Sequence, residues 1–282
     1  MNAPTSRSTG EPWVVLGPVT RPVRLRLREV WEARGLIYTL AWRRINVRYK
    51  QTLAGSAWMV LQPLLTTGIF TALFGRWMQV PTGGIPYPVF ALSGLVLWTY
   101  FVAVVNLTTM SLVHHYQLIT RVYFPRLVLP LSLTISELVD MTVVLIVLAA
   151  AMLLEGVTPG PLFPLFPVFV LMAAAGALGI GLWLGALNVQ YRDVSNALPF
   201  LVQVMLFATP IAYPAELVPA NLRMVYALNP MTGTIEGFRW VLFAAGPFPG
   251  GVIGVSALSA TAILVSGLYF FRAREDRFAD II

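Results

Sequence analysis

Long apolar stretches separated by short polar breaks set the pattern of this chain. Six of them reach the length needed to cross a hydrocarbon core, at about 55–77, 88–110, 127–154, 164–188, 196–214 and 250–271. Residues 24–51 follow a different rhythm. Leu27, Trp31, Tyr38, Trp42, Ile45 and Tyr49 recur at steps of three, four and seven, the spacing of one helical stripe. Arg28, Glu32, Thr39, Arg43, Asn46 and Lys50 run beside it. Aromatics next to a basic face predict a helix lying in the membrane interface. Between the fifth and sixth stretches, 210–249 holds two apolar pieces, Leu217 to Leu228 and Met231 to Ala245, interrupted by Pro214, Pro219, Pro230, Pro247 and Pro249. Backbone that is not continuous helix at membrane depth must be buried in protein or line a wet cavity. These pieces therefore predict two short, partly re-entrant helices on the outer side. The expected fold is all-α and integral to the membrane.

Composition narrows the class. Hydrophobic residues make up 57% and charged residues 11%, with mean hydropathy +0.76. Those values exclude a soluble globular enzyme and a disordered chain. A net charge of +7 is compatible with nucleic acid, but in a membrane chain basic residues set orientation. With six spans, sixteen Lys and Arg fall on the face that holds both termini and three, Arg76, Arg223 and Arg239, on the other. Both termini are expected in the cytoplasm, and no nucleic-acid partner is expected. Residues 1–23 contain four prolines, and their one apolar run, Trp13 to Leu16, is too short for a signal h-region; they read as a flexible cytoplasmic tail. Residues 52–271 form the transmembrane domain, and 272–282 a second cytoplasmic tail.

Catalytic chemistry is sparse. There is no Gly-x-x-x-x-Gly-Lys phosphate loop, and the one lysine, Lys50, follows Val47-Arg48-Tyr49. With no cysteine, thiolate chemistry is excluded. His114 and His115 are adjacent, so in a helix they point ~100° apart and do not share a metal. No catalytic or metal site is expected. Glu137 and Asp140 lie three apart on one face of the third span. Charges at that depth face protein or water. A proton relay is one reading; a polar contact between helices is favoured, because no other span offers a Lys, Arg or His at depth.

Four stretches carry a resemblance. They are Tyr49-Lys50-Gln51-Thr52-Leu53-Ala54-Gly55-Ser56-Ala57-Trp58 with Gln62-Pro63-Leu64; Tyr123-Phe124-Pro125-Arg126 with Leu129-Pro130; Gln190-Tyr191-Arg192-Asp193-Val194; and Thr209-Pro210-Ile211-Ala212-Tyr213-Pro214 with Leu228-Asn229-Pro230 and Ile235-Glu236-Gly237-Phe238-Arg239. In their order and their places relative to the spans they resemble the membrane subunit of ABC-2-type exporters. The likeness is strongest to the branch that exports O-antigen, teichoic acid and related lipid-linked glycans. It covers about 40–271, and Ala54 departs from the larger aliphatic usual before that glycine.

The resemblance implies a permease subunit, not an enzyme, that works as a homodimer with two copies of an ABC ATPase subunit in a bacterial cytoplasmic (inner) membrane. ATP and Mg²⁺ would sit on the partner, with no cofactor on this chain. Coupling is expected at the corner after the second span, through Arg121, Phe124, Pro125 and Arg126, and at Arg192 and Asp193, which read as a local ion pair or helix cap. Phe124 is the expected apolar contact with the ATPase. Trp58, Phe70, Phe74, Trp98, Tyr100, Phe101, Phe207 and Tyr213 lie on the first, second and fifth spans, which line the channel in that family, and flat rings suit a sliding sugar polymer. Arg43, Arg44, Arg48 and Lys50 stand near the inner mouth, where a lipid pyrophosphate head needs cations. Asn229, Pro230, Glu236 and Arg239 are the expected outer gate. An exporter of drugs or lipids with the same architecture is the alternative, followed by an intramembrane enzyme of lipid-linked sugars.

Overall fold

The computed structural model describes residues 27–50, 53–121 and 124–281, and among these it is helical with no strand. The N-terminal tail 1–23, together with Gln51, Thr52 and Tyr123, lies outside the described residues.

The interface element divides at Ala33 into α1 (Leu27–Glu32) and α2 (Arg34–Lys50). Next, α3 (Leu53–Phe70) carries Pro63 inside and ends in a π-helical turn, Thr71–Trp77. In that turn Met78 N–H bonds the carbonyl of Leu73, 2.9 Å away. The wider turn tucks Gly75 against the ring of Tyr87, where a β-carbon would come within 2.9 Å. The post of the fold is α4 (Tyr87–His114). Val89 to Trp98 are buried without a break, so this helix is enclosed all round rather than along one stripe.

The short α5 (Tyr116–Arg121) leads to a corner, from which α6 (Val128–Leu154) runs back along the bundle. A 3-10 turn at Phe163–Leu165 introduces α7 (Phe166–Gln190). Small residues let α7 lie close to both neighbours. A β-carbon at Gly181 would meet Thr108 of α4 at 2.6 Å, and one at Gly179 would meet the backbone of Leu264 at 2.6 Å. Close approach of backbones is what holds helices together in lipid, where apolar burial alone provides little drive. Leu264 belongs to α11 (Gly250–Ile281), the longest helix at 32 residues. The expected tail from 272 onward is a continuation of this helix rather than a separate segment.

Among the described residues, five helices are long and apolar enough to cross: Ala57–Trp77, Tyr87–His114, Val128–Leu154, Phe163–Gln190 and Gly250–Glu275. The expected fifth span, 196–214, differs. Its helix, α8, is Asp193–Phe207, 15 residues and thus ~22 Å, against the ~30 Å of a hydrocarbon core. It stops because Pro210 and Pro214 follow. Residues 208–214 continue as non-helical chain with Thr209, Ile211 and Ala212 buried. Of the two expected outer helices, the first is only a 3-10 turn (Ala215–Leu217) and one turn of α9 (Arg223–Tyr226), because Pro219 interrupts it. The second is a true helix, α10 (Pro230–Phe243), packed so closely that the Phe169 ring occupies the space a side chain at Gly237 would need.

Replacing Gly179 with valine should push α7 from α11 and cost ~1–3 kcal/mol by overpacking. A lowered thermal unfolding midpoint in detergent is the expected result, and an unchanged midpoint would contradict the close approach.

Candidate functional site

The interface helix turns its aromatic side outward and its other side in. Trp31, Tyr38 and Trp42 are exposed, while Ile37, Leu40 and Ala41 pack inward. Arg44 and Arg48 continue that inward face at helical steps and meet the acids of α6. Arg44 Nη2 lies 3.3 Å and Arg48 Nη1 3.2 Å from Glu137 Oε1, whose side chain is 2% exposed. Arg48 also pairs with Asp140, and the Tyr49 hydroxyl donates to Asp140 Oδ1 at 2.9 Å. Burial, reinforced by that bond to a carboxylate, raises the Tyr49 phenol to about 12, so it remains a donor at neutral pH. The polar contact expected of Glu137 and Asp140 therefore exists. Its partners come from the interface helix rather than from another span, which is why a search of the spans for cations misses them.

Two cavities adjoin this cluster. The larger, ~910 Å³, lies beside α2 and the C-terminal end of α4 and is lined by Arg43, Arg44, Arg48, His114, His115 and Ser132 among others. The smaller, ~350 Å³, lies between α3, α4 and α6, with Trp98, Tyr100, Gln62, Thr66, Glu137 and Asp140 in its wall. Arg48 is common to both linings. Of the four inner-mouth cations, three thus line one vestibule; Lys50 stands exposed beyond it.

The eight expected channel aromatics do not form one surface. Trp58 and Phe207 are 58% and 61% exposed, and Trp98 and Tyr100 wall the smaller cavity. Phe101 is a correction: it is 1% exposed, stacked on Trp98 at 5.6 Å inside the helix core. Phe70 and Phe74 pack edge-to-face with each other at 5.6 Å against the start of α4. Tyr213 is a strut, its hydroxyl donating to the carbonyl of Phe207 at 2.7 Å and lying 2.9 Å from the Tyr226 hydroxyl.

The expected outer-gate residues also act as internal struts. Arg239 is buried and uses all five donors, on the carbonyls of Phe90 (3.2 Å), Pro210 (2.6 Å) and Ile211 (2.7 Å), on Ser93 Oγ (3.2 Å) and on Glu236 Oε1 (3.4 Å). Its guanidinium also lies 3.6 Å from the centre of the Phe90 ring. Its guanidinium is cationic at neutral pH, as arginine is in proteins, and Glu236 stands beside it. Glu236 also accepts from Ala215 N–H at 3.3 Å. Asn229 caps α10 through Met231 N–H at 3.0 Å, and its amide donates to Ala208 O and Thr209 Oγ1, both at 2.9 Å. Pro230 opens the helix, packed over Gly176.

At the corner before α6, Phe124 is 9% exposed, in a core with Leu127, Leu182 and Phe271. That corrects its expected role as an outward contact: its ring anchors the corner to this chain's own helices. Pro125 and Arg126 follow at partly buried positions, and the Arg126 N–H donates to Glu275 Oε1 at 3.2 Å. Glu275 itself pairs with Arg272. Sequence reasoning misses Glu275, although its spacing from Arg272 marks a helical ion pair. Arg121 ends α5. Arg192 and Asp193 are exposed at the start of α8 and make no ion pair with each other among the described residues; no side chain makes a capping hydrogen bond there, and Asp193 stands as an acid in the first turn.

Residues 35–243 match the ABC-2 type transporter family, a stretch that takes in the interface helix, the corner, the broken α8 and α10. The chain belongs to that family. It is 28% identical over 91% of its length to the O-antigen export system permease protein RfbA of Myxococcus xanthus, of which it covers 98%. It is 27% identical over 88% of its length to an RfbA of Klebsiella pneumoniae, of which it covers 95%. With the polysialic acid transport protein KpsM of Escherichia coli it shares 23% identity over 85% of its length and 93% of that protein. The family stretch thus contains both cavities' charged residues and, in the 208–243 segment, Tyr213, Asn229, Glu236 and Arg239.

Two substitutions separate anchoring from surface roles. Arg239→Met strands Glu236 and the carbonyls it held, and should cost ~3–5 kcal/mol, read as lost monodisperse yield. Phe124→Ala empties a core site and should also cost ~3–5 kcal/mol. A Phe124→Ala protein with an unaltered unfolding midpoint would return that ring to the surface.

Proposed function

We propose that the chain is the permease subunit of an ATP-driven exporter that carries a lipid-linked polysaccharide, O-antigen-like, across the bacterial cytoplasmic membrane. The observation that carries this is the near full-length similarity to permeases named for O-antigen export. The vestibule supports it: three arginines at the cytoplasmic end of the spans suit a diphosphate head, and aromatic walls in the next cavity suit sugar faces. A neutral or cationic drug has no use for such a vestibule, which favours the glycan reading over the drug-exporter alternative.

Two copies of the chain form the path, each with an ATPase subunit that binds ATP and Mg²⁺. Support comes from the faces of α3 and α8, where Trp58, Leu65, Phe200 and Phe207 are exposed and await lipid or a second copy, and from the lack of a phosphate loop in this sequence. The corner at 124–127, braced by Glu275, is where the ATPase bears. Both termini lie in the cytoplasm, as the distribution of Lys and Arg argues.

Cells deprived of this chain but keeping the ATPase should accumulate the polymer inside, and restoring the chain should clear it. Continued export without it would refute the assignment. Because the chain has no native cysteine, Asn221→Cys, on the exposed outer segment, should react with a membrane-impermeant thiol reagent added outside intact cells. Labelling from the cytoplasmic side alone would invert the topology.

A further inference from the structure

Two arginines of the vestibule, Arg44 and Arg48, are paired before any ligand arrives, and the pairing leaves capacity over. Arg43, Arg44 and Arg48 bring three positive charges; Glu137 and Asp140 bring two negative ones. The contacts to Glu137, at 3.2 and 3.3 Å, are longer than the ~2.7–2.9 Å of a strong N–H···O⁻ bond. Arg44 Nε is buried with no hydrogen-bond partner among the described residues. Arg48 stands between the two cavities with its head drawn toward α6 by both acids.

We propose that Glu137 and Asp140 are resident counter-ions that a diphosphate group displaces from Arg44 and Arg48, and that this exchange loosens α2 from α6 and joins the basic vestibule to the aromatic cavity. It rests on the reading that the substrate is a lipid diphosphate and adds how that head is selected and what its arrival does. Arg44 and Arg48 are one turn apart, ~6 Å along the helix, so two linked phosphoryl groups can engage both guanidinium forks. A phosphodiester headgroup brings one negative charge and replaces one carboxylate at most. The other arginine then keeps its acid, and α2 stays down. The resident acids thereby turn a basic pocket in an anionic membrane into one that ignores ordinary lipid. When Arg48 swings out, the Tyr49 hydroxyl on the same helix leaves Asp140 with it, and both acids face a cavity that admits water.

The test uses the full chain with its ATPase subunits in nanodiscs, with farnesyl diphosphate and inorganic pyrophosphate as probes, in discs with and without phosphatidylglycerol. Arg44→Gln and Arg48→Gln should each weaken binding of both diphosphates. Glu137→Gln should strengthen it about tenfold, because apparent affinity follows the fraction of sites not held shut. A purely structural Glu137 would instead weaken binding when neutralised. Farnesyl diphosphate should bind more tightly than pyrophosphate, and phosphatidylglycerol should not compete. A second readout leaves the ion cluster untouched: Thr66→Cys, in the aromatic cavity, should react faster with a water-soluble thiol reagent once diphosphate is bound. Weakened binding in Glu137→Gln, competition by phosphatidylglycerol, or an unchanged Thr66→Cys rate would overturn the exchange while leaving the lipid-diphosphate reading in place. Failure of the unmutated protein to bind either diphosphate would remove both.

Discussion

Hydrocarbon supplies no partner to a stranded polar group, and the whole outer half of this chain is arranged around that fact. Where α8 stops short at Phe207, the carbonyls it leaves are taken up one by one, Phe207 by Tyr213, Ala208 by Asn229, Pro210 and Ile211 by Arg239. The same Arg239 reaches Phe90 and Ser93 on α4, so the repair of a broken helix is also the bond between two layers of the fold. A buried arginine is costly in isolation, and here each of its donors has an acceptor. The inner half answers the same constraint with Arg44, Arg48, Glu137 and Asp140.

The long helices are legible because their apolar runs are unambiguous. Their packing follows from glycines in α7 that sequence can show but not pair, since Gly181 finds Thr108 and Gly179 finds Leu264 only once the topology is known. The fifth span is less legible. Hydropathy runs on smoothly past Phe207, while the backbone has already left the helix ahead of Pro210. Apolar content measures where a segment lies, and prolines decide what shape it takes there.

For the functional residues, type was legible and direction was not. Arg43, Arg44 and Arg48 line one cavity, but their amphipathic pattern assigns Arg44 and Arg48 to no particular neighbour. The acids that hold them lie ninety residues away in sequence. Phe124, Arg239 and Glu236 sit in motifs that read as contacts with partner or substrate, and each points inward. A motif records that a residue matters in a family and is silent about whether it works by touching something or by holding something still.

The length of α11 has a mechanical meaning. Near its C-terminal end Glu275 holds the corner at Arg126, and near its N-terminal end Ser256 holds the carbonyl of Ala227 and the amide of Gly233 at the start of α10. Nineteen residues of unbroken helix separate those two attachments, ~28 Å of stiff rod. Along the way it lies against α7 at Leu264 and Gly267, where Gly179 leaves no room for a side chain. One stiff element thus ties the corner before α6 to the start of α10, and neither end is anchored independently of the other.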